Sequence, residues 1–420
     1  MAFQQGLSGL NATAKNLSVI GNNIANANTY GNKVARAEFA DVFANAVGGG
    51  NATTVGIGVT VTGVVQQFTQ GNIATTESNL DLAINGGGFF QLANDGATVY
   101  SRNGQFQLDK NGFIVNAAGN QLLGYAASTD GLIIPSTVQA LQLPTAGVAP
   151  AATSKINLEF NLDSRQNVTG PATPVAIDFK DATTYNNATS ISVFDDKGQE
   201  VALTFYFQKT ADDTWDVYAT ANGVPVAGTA AAPTATITGM KFATNGSALT
   251  NPTAPVSFDV PSITLPSGGN SLAITGVALD LGRASQYGTA FSMTDLSQNG
   301  YAPGQVTGIN IDKNGIIKAQ YSNGQSKAAG QVVLATFRNP QGLSPLGGNG
   351  WASSFASGDP IVGAPGQGNI GSLQSGALEE SNVDLTAELV NMIVAQRSYQ
   401  ANAQSIKTED QVMQTLVNLR

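Results

Sequence analysis

SNVDLTAELVNMIVAQRSYQANAQSIKTEDQVMQTLVNLR, residues 381–420, decides how this chain is built. Leu385, Leu389, Met392, Gln396, Tyr399, Ala403, Ile406, Asp410, Met413 and Val417 recur in alternating steps of four and three. That 3.5-residue period is the seam of a coiled coil. No proline interrupts the stretch. Ser381-Asn382 offers a cap, and Asp384 places an acid in the first turn. The pattern predicts a helix over 382–419, roughly 55 Å long at about 1.5 Å per residue. Gln396 and Asp410 are polar entries in the seam; they set register in a pair or meet neighbours in a larger assembly.

The opposite end repeats the step. Phe3, Leu7, Leu10, Ala14, Leu17, Gly21 and Ile24 predict an amphipathic helix over 2–27. Its one charge is Lys15, and Gly6, Gly9 and Gly21 lie inside it. A helix this polar and Gly-rich is marginal alone in water, so it folds against a partner. Two ends that each need a helical partner, around a long middle, describe a subunit that polymerises through its termini.

Composition narrows the chemistry. Charged residues are 11% of the chain, about half the usual share, and Gly is 48 of 420. Cys and His are both absent. Disulfides, zinc–thiolate sites, imidazole ligands and Ser–His–Asp or Cys–His catalysis are excluded. The net charge of −9 argues against a nucleic-acid partner. No run reaches the roughly 18 apolar residues of a membrane helix, and no cleavable signal peptide is visible. An uncharged polar surface with many turns fits an extracellular β-rich protein, and export without a signal requires a dedicated route.

Between the helices the sequence reads as β structure. Residues 30–55 look loop-like, with Gly48-Gly49-Gly50-Asn51 as a flexible point, and Val55–Phe68 alternates as a strand or extended arm. From 71 to 145 the runs Leu80–Ile84, Phe89–Leu92, Val99–Ser101, Gln105–Leu108 and Phe113–Val115 are punctuated by Asn94-Asp95-Gly96, Asn103-Gly104 and Asn111-Gly112. Such pairs favour tight hairpins because they tolerate positive φ. Leu108-Asp-Lys-Asn-Gly-Phe-Ile returns as Ile311-Asp-Lys-Asn-Gly-Ile-Ile, a second hairpin of the same domain. Pro-rich stretches bracket residues 146–284, which carry net −5 and read as an inserted β domain. The organisation expected is a discontinuous multi-domain chain, mainly β with long helical termini. The helical termini, 1–29 and 382–420, form a coiled coil. Arms cover 30–70 and 359–381, an inner β domain 71–145 and 285–358, and an outer domain 146–284.

No catalytic, cofactor or metal motif survives inspection. Gly86-Gly87-Gly88 lacks the spacing of a dinucleotide loop and precedes strand sequence. The acid spacing around Asp109 and Asp312 fails the EF-hand pattern, and hairpin turns explain both. The pairs Asp195-Asp196, Asp212-Asp213 and Glu379-Glu380 fall in turns or linkers, where solvated acids are expected.

The terminal motifs are specific. Ser8-Gly-Leu-Asn, Ile20-Gly-Asn-Asn-Ile-Ala-Asn, Ser381-Asn-Val-Asp-Leu and Ala395-Gln-Arg resemble the bacterial flagellar rod and hook axial protein family, as do Tyr100-Ser-Arg-Asn-Gly-Gln-Phe and Asn299-Gly-Tyr-Ala-Pro-Gly. The match covers about 1–125 and 285–420. Length and the inserted domain fit a hook member better than the shorter distal rod member. The resemblance implies a structural, non-enzymatic subunit with no cofactor, polymerising into the curved flexible tube that passes torque from rod to filament. The assembly seam is then Phe3, Leu7, Leu10, Leu17, Ile24, Leu385, Leu389, Met392, Tyr399, Ile406, Met413 and Val417. The implied partners are further copies, the distal rod, the hook cap, the hook–filament junction proteins and the flagellar type III export apparatus. Neither nucleic acid nor membrane insertion is implied. The place is the extracellular hook and basal body, and the role is motility. Phe39-Ala-Asp-Val-Phe43 has the spacing of the family's export-gate element. After Thr29-Tyr30-Gly31 the family commonly has an aromatic residue, where this chain has Asn32. A distal rod subunit is the alternative within the family. Outside it, a secreted β-rich adhesin or a glycan-cleaving enzyme competes; an adhesin has no need of heptads at both ends, and an enzyme needs convergent carboxylates in a cleft.

Overall fold

A computed structural model describes residues 2–42, 56–128, 131–144, 146–169, 177–265 and 268–418. Helix α1 spans Ala2–Ala25 and α2 spans Leu385–Asn418, with β strands between them. Phe43 and Gly48–Asn51 lie outside the described residues. The α2 cap differs from expectation. Asp384 Oδ1 accepts the N–H groups of Thr386 and Ala387 at 2.9 and 3.1 Å. Two orphan donors of the first turn are thereby satisfied, and Asn382 is used elsewhere.

The chain divides into two compact units. The first comprises Met1–Thr145, Gly308–Gln320 and Ser326–Arg420; the second comprises Ala146–Thr307 and Tyr321–Gln325. Residues 285–307, expected in the inner domain, therefore belong to the second unit. Ser285–Tyr287 and Ser292–Gln298 both pair with Lys155–Asp163. Met293 and Leu296 pack on that unit's core, which decides the boundary by burial rather than by turn spacing.

In the first unit the main sheet runs Ile316–Tyr321, Ser326–Val332, Gln121–Ala127, Phe89–Asn94, Ala97–Ser101, Gly350–Ala352 and Ser344–Gly347. Its core gathers Leu82, Ile84, Phe90, Leu92, Ile114, Leu122, Ile317, Val332 and Leu334. Phe89–Asn94 and Ala97–Ser101 close through Asp95 and Gly96, both at positive φ, as Asp-Gly predicts. The repeated Asp-Lys-Asn-Gly turns are built alike: Asp109 Oδ1 accepts from Asn111 and Phe113, and Asp312 Oδ1 from Asn314 and Ile316. Asn103-Gly104 is no hairpin turn. A Cβ at Gly104 would lie 1.7 Å from the Leu82 carbonyl oxygen, so glycine is there for close backbone approach.

The arms are more ordered than the sequence suggests. β1 (Ala35–Val42) and β2 (Gly58–Gln66) form an antiparallel ribbon with a bulge between Glu38 and Phe39. β2 begins on α1, where Val59 N–H donates to Ser8 Oγ and Gln5 Nε2 donates to the Gly56 carbonyl. In the second arm, Ser372–Ser375 pairs with Leu82–Asn85 and Ala377–Glu379 pairs with Ile73–Thr75. Small residues that read as linker are strand partners here.

The second unit has one sheet built around Lys155–Asp163 and Ile274–Asp280 and another around Asn187–Phe194, Glu200–Ala211 and Thr214–Ala221. One core draws on both. Phe160 packs on Phe207 and Phe205 on Phe258, with Trp215 fully buried. Truncating Phe205 or Phe207 to Ala would cost about 3–5 kcal/mol. Asp195 is also sealed here, against the reading of a solvated pair. Its carboxylate accepts N–H groups from Lys197, Gln199 and Leu272.

Candidate functional site

The two termini meet within the first unit. Gly6 faces Ile406, Gly9 faces Asn402, and Asn23 Nδ2 lies 3.4 Å from Glu388 Oε2. Numbers rise along α1 as they fall along α2, so the helices run antiparallel. A Cβ at Gly6 or Gly9 would come within 3.0 Å of Ile406 or Asn402, so these glycines let the helices close. Ala12 and Ala395 are buried further along the same stripes.

The expected seam is split by this arrangement. Met392 and Ile406 are half-buried, as are Leu10, Leu17 and Ile24. Phe3, Leu7, Leu385, Leu389, Tyr399, Met413 and Val417 are exposed, as are Val390, Ile393, Val394 and Val412. The helices approach each other at Gly6 and Gly9, and many of their large apolar side chains are left exposed.

Where the helices join the β structure, three segments are tied by a buried charge knot. Lys33 Nζ donates to Glu379 Oε1 at 2.6 Å and to the Thr69 carbonyl at 2.7 Å. Arg102 reaches Glu379 Oε2 at 3.1 Å and the Gly86 carbonyl at 2.8 Å, with its guanidinium over the Phe89 ring. Gly71 N–H donates to Glu379 Oε1, and Gly31 N–H to the Glu379 carbonyl. Glu379 was expected to be a solvated linker acid; it is 1% exposed because two cations and two amides enclose it. Burial pulls the Lys33 amine below its ordinary 10.5, partly opposed by Glu379, and likewise lowers Arg102.

Asparagines complete the junction. Asn382 Oδ1 accepts from Val34 N–H, and its Nδ2 donates to Gln67 and Thr69. Asn23 exchanges two hydrogen bonds with the Ala35 backbone at 2.8 and 3.0 Å. Gly31, at φ +71, passes so near Asn103 that a Cβ would lie 2.5 Å from its backbone nitrogen. Beside the knot, Phe68, Phe89, Tyr100, Phe337 and Trp351 stack edge to face. A hydrogen-bonded, aromatic-walled joint thus lies at the base of both helices. The charges of Lys33, Arg102 and Glu379 are paired with one another.

Of the two export-element residues, Phe39 is part-exposed on β1 and Phe43 lies outside the described residues. Sequence reasoning missed Lys33, Arg102, Glu379, Asn23 and Asn382 as a group. The usable signal was their rarity: in a chain with so few charges, a Lys, an Arg and a Glu beside Gly and Asn are conspicuous.

Comparison with known proteins places this geometry. Four family models match in chain order: Flagella basal body rod protein over 3–33, Flagellar hook protein FlgE/F/G D1 domain over 83–151, Flagellar basal body protein FlaE D2 domain over 161–301, and Flagellar basal body rod FlgEFG protein C-terminal over 374–419. Helical ends flanking two β regions, matched in that chain order, define a flagellar axial protein. The chain is 42% identical to the flagellar hook protein FlgE of Salmonella typhimurium and 41% identical to that of Escherichia coli K12, over the full length of each. It is 33% identical to the Brucella suis protein over the whole of this chain and 98% of that one. A crystal structure of Helicobacter pylori flagellar hook protein FlgE2 shares the fold at TM-score 0.52 and 15% identity, covering 73% of this chain and all of that one. The chain belongs to the flagellar hook protein family and is a structural subunit of the hook.

Proposed function

We propose that the terminal helices are the polymerising element, and that copies of this chain associate through them as a coiled-coil inner layer of the hook. The observation that carries this reading is the split seam. α1 and α2 meet through Gly6, Gly9 and Ala395, which leaves Leu385, Leu389, Tyr399, Met413 and Val417 for neighbouring copies. Phe3, Leu7, Leu10, Leu17, Ile24, Met392 and Ile406 complete the seam. An apolar surface of that extent on a 34-residue helix is unfavourable in water and stabilising in a helix assembly. The charge knot holds both helices at fixed angles to the inner β unit, so torque passes to the β layers. Few charges on the β units let neighbouring copies slide without stranding unpaired ions, which suits a curved flexible joint.

The chain reaches the cell exterior through the flagellar type III export route, with Phe39 and Phe43 as the gate-recognition pair. Its ends meet the distal rod, the hook cap and the hook–filament junction proteins, and no catalytic step is involved. Immunogold electron microscopy with antibody to residues 146–307 tests the whole reading. Label on a short curved segment between cell and filament is expected. Label confined to the rod, or spread over the cell surface, would overturn it. Exchange of Phe39 and Phe43 for Ala should leave subunits inside the cell; normal secretion would remove the export assignment alone.

A further inference from the structure

We propose that Phe355 anchors a contact between adjacent copies of this chain, made by the inner β unit in addition to the helices. The proposal rests on the polymer reading above. Phe355 is 106% exposed, so its own chain covers none of the ring. Among the described residues the next most exposed Phe, Phe3, is 52% exposed. A single exposed apolar residue on a mobile loop needs no explanation. This one is held out by its loop.

The loop is tied on both sides of the ring. Ser354 Oγ donates to the Gly342 carbonyl and accepts the Ala356 N–H; Ser357 Oγ donates to the Ser354 carbonyl and accepts the Ser354 N–H. Asn339 Nδ2 holds the Ala356 carbonyl at 3.0 Å. Gly342 packs so tightly beneath that a Cβ would meet the Ala356 carbonyl carbon at 2.5 Å. The backbone cannot fold the ring inward without breaking these bonds. Ordering cost is prepaid, as in a preorganised binding residue.

Surroundings select the partner. From Asn339 to Gly358 the chain has no charged residue. An uncharged segment carrying one rigid aromatic matches the centre of a protein–protein contact, where charges are depleted and aromatics anchor. It offers nothing to an anionic lipid or a nucleic acid. The neighbouring edge strand, Ser344–Gly347, is blunted by Pro345 and by Gly347 and Gly348 at positive φ. Strand addition is disfavoured there, so the contact is made by side chains. In a helical homopolymer the copies meet through heterologous contacts, and a ring presented identically on each copy would be met by the same receptor surface on the next.

The chain contains no Cys, so Phe355→Cys introduces a single thiol. Hooks isolated from cells carrying only this variant are compared with the soluble subunit. Maleimide labelling should be at least about tenfold slower in the hook, and a thiol-linked benzophenone should yield products of twice the subunit mass containing peptides of this chain alone. Phe355→Ala should lower the temperature at which hooks dissociate while leaving subunit unfolding unchanged. Equal labelling rates, or adducts to a different protein, would overturn the proposal with the polymer reading intact. Absence of the chain from isolated hooks would overturn both.

Discussion

Lys33 Nζ lies 2.6 Å from Glu379 Oε1, and neither side chain reaches solvent. Arg102 shares the same carboxylate at 3.1 Å. One acid therefore holds two cations, and removing it strands both. Glu379→Gln should destabilise the first unit by about 3–5 kcal/mol, the cost of breaking a buried pair from one side. The chain has two tryptophans, Trp351 in the first unit and Trp215 in the second. Urea unfolding followed by Trp351 fluorescence in a Trp215→Phe background reads the first unit. A midpoint shift no larger than that of a surface substitution would show that the knot is not a stabilising element.

The same pair sets an alkaline pH dependence. Folding lowers the Lys33 amine below 10.5, with burial as the dominant cause. Below the lowered value Lys33 is charged in both states, and its burial cost is present in full. Between that value and 10.5 the unfolded chain keeps a proton that the folded chain has released, so stability rises with pH across this window. Lys33→Met does not titrate. Its deficit relative to the parent chain should therefore widen toward high pH, by at most about 1.4 kcal/mol per pH unit. Paired denaturation curves carried from neutral pH to 10.5 check this; a difference that stays flat over that whole range would mean that Lys33 keeps its ordinary affinity for protons.

Gly31 is a tight backbone point of the junction. It adopts φ +71 and abuts Asn103, while its N–H is bonded to the Glu379 carbonyl. Gly31→Ala adds left-handed strain of about 1–3 kcal/mol, and the methyl also displaces the Arg102–Asn103 backbone. Gly21→Ala is the contrast, because a Cβ there meets nothing within 4 Å. That change should stabilise α1 by roughly 0.5–1 kcal/mol. Thermal unfolding of the two variants should move in opposite directions, and a shared direction would contradict the backbone argument.

The terminal helices were legible because a 3.5-residue period is a local signal, and Asp95-Gly96 was legible because turn chemistry is local too. The face that α1 presents to α2 was not. Gly6, Gly9 and Ala12 carry no hydrophobic signal, whereas the period is drawn by the large residues beside them. Glu379 was misread for a related reason. Its neighbours Glu380 and Ser381 describe a solvated turn, whereas Lys33 and Arg102 are 346 and 277 positions away. Burial of a charge is decided by such distant partners, so spacing along the chain cannot reveal it. Asn382 shows the same limit: it reads as a helix cap, yet its side chain is spent on Val34 and Thr69, and Asp384 caps instead.

The two faces of α2 make separable predictions. Ala395 is 4% exposed on the face toward α1, where an added side chain has no room. Ala395→Leu should overpack that face at a cost of about 1–3 kcal/mol and perturb the subunit itself. Leu389 and Met413 point outward and touch little in the isolated chain. Exchanging both for Asp should leave subunit stability within about 0.5 kcal/mol per site, as for other surface changes. Polymerisation should fail, because a carboxylate buried between helices loses its hydration without a partner. Circular dichroism melting of the subunit, with hook counts by electron microscopy in cells, measures both halves. Normal hooks from the double Asp variant would place the outward face of α2 outside the assembly contact, and a collapsed melting curve would place it inside the subunit's own core.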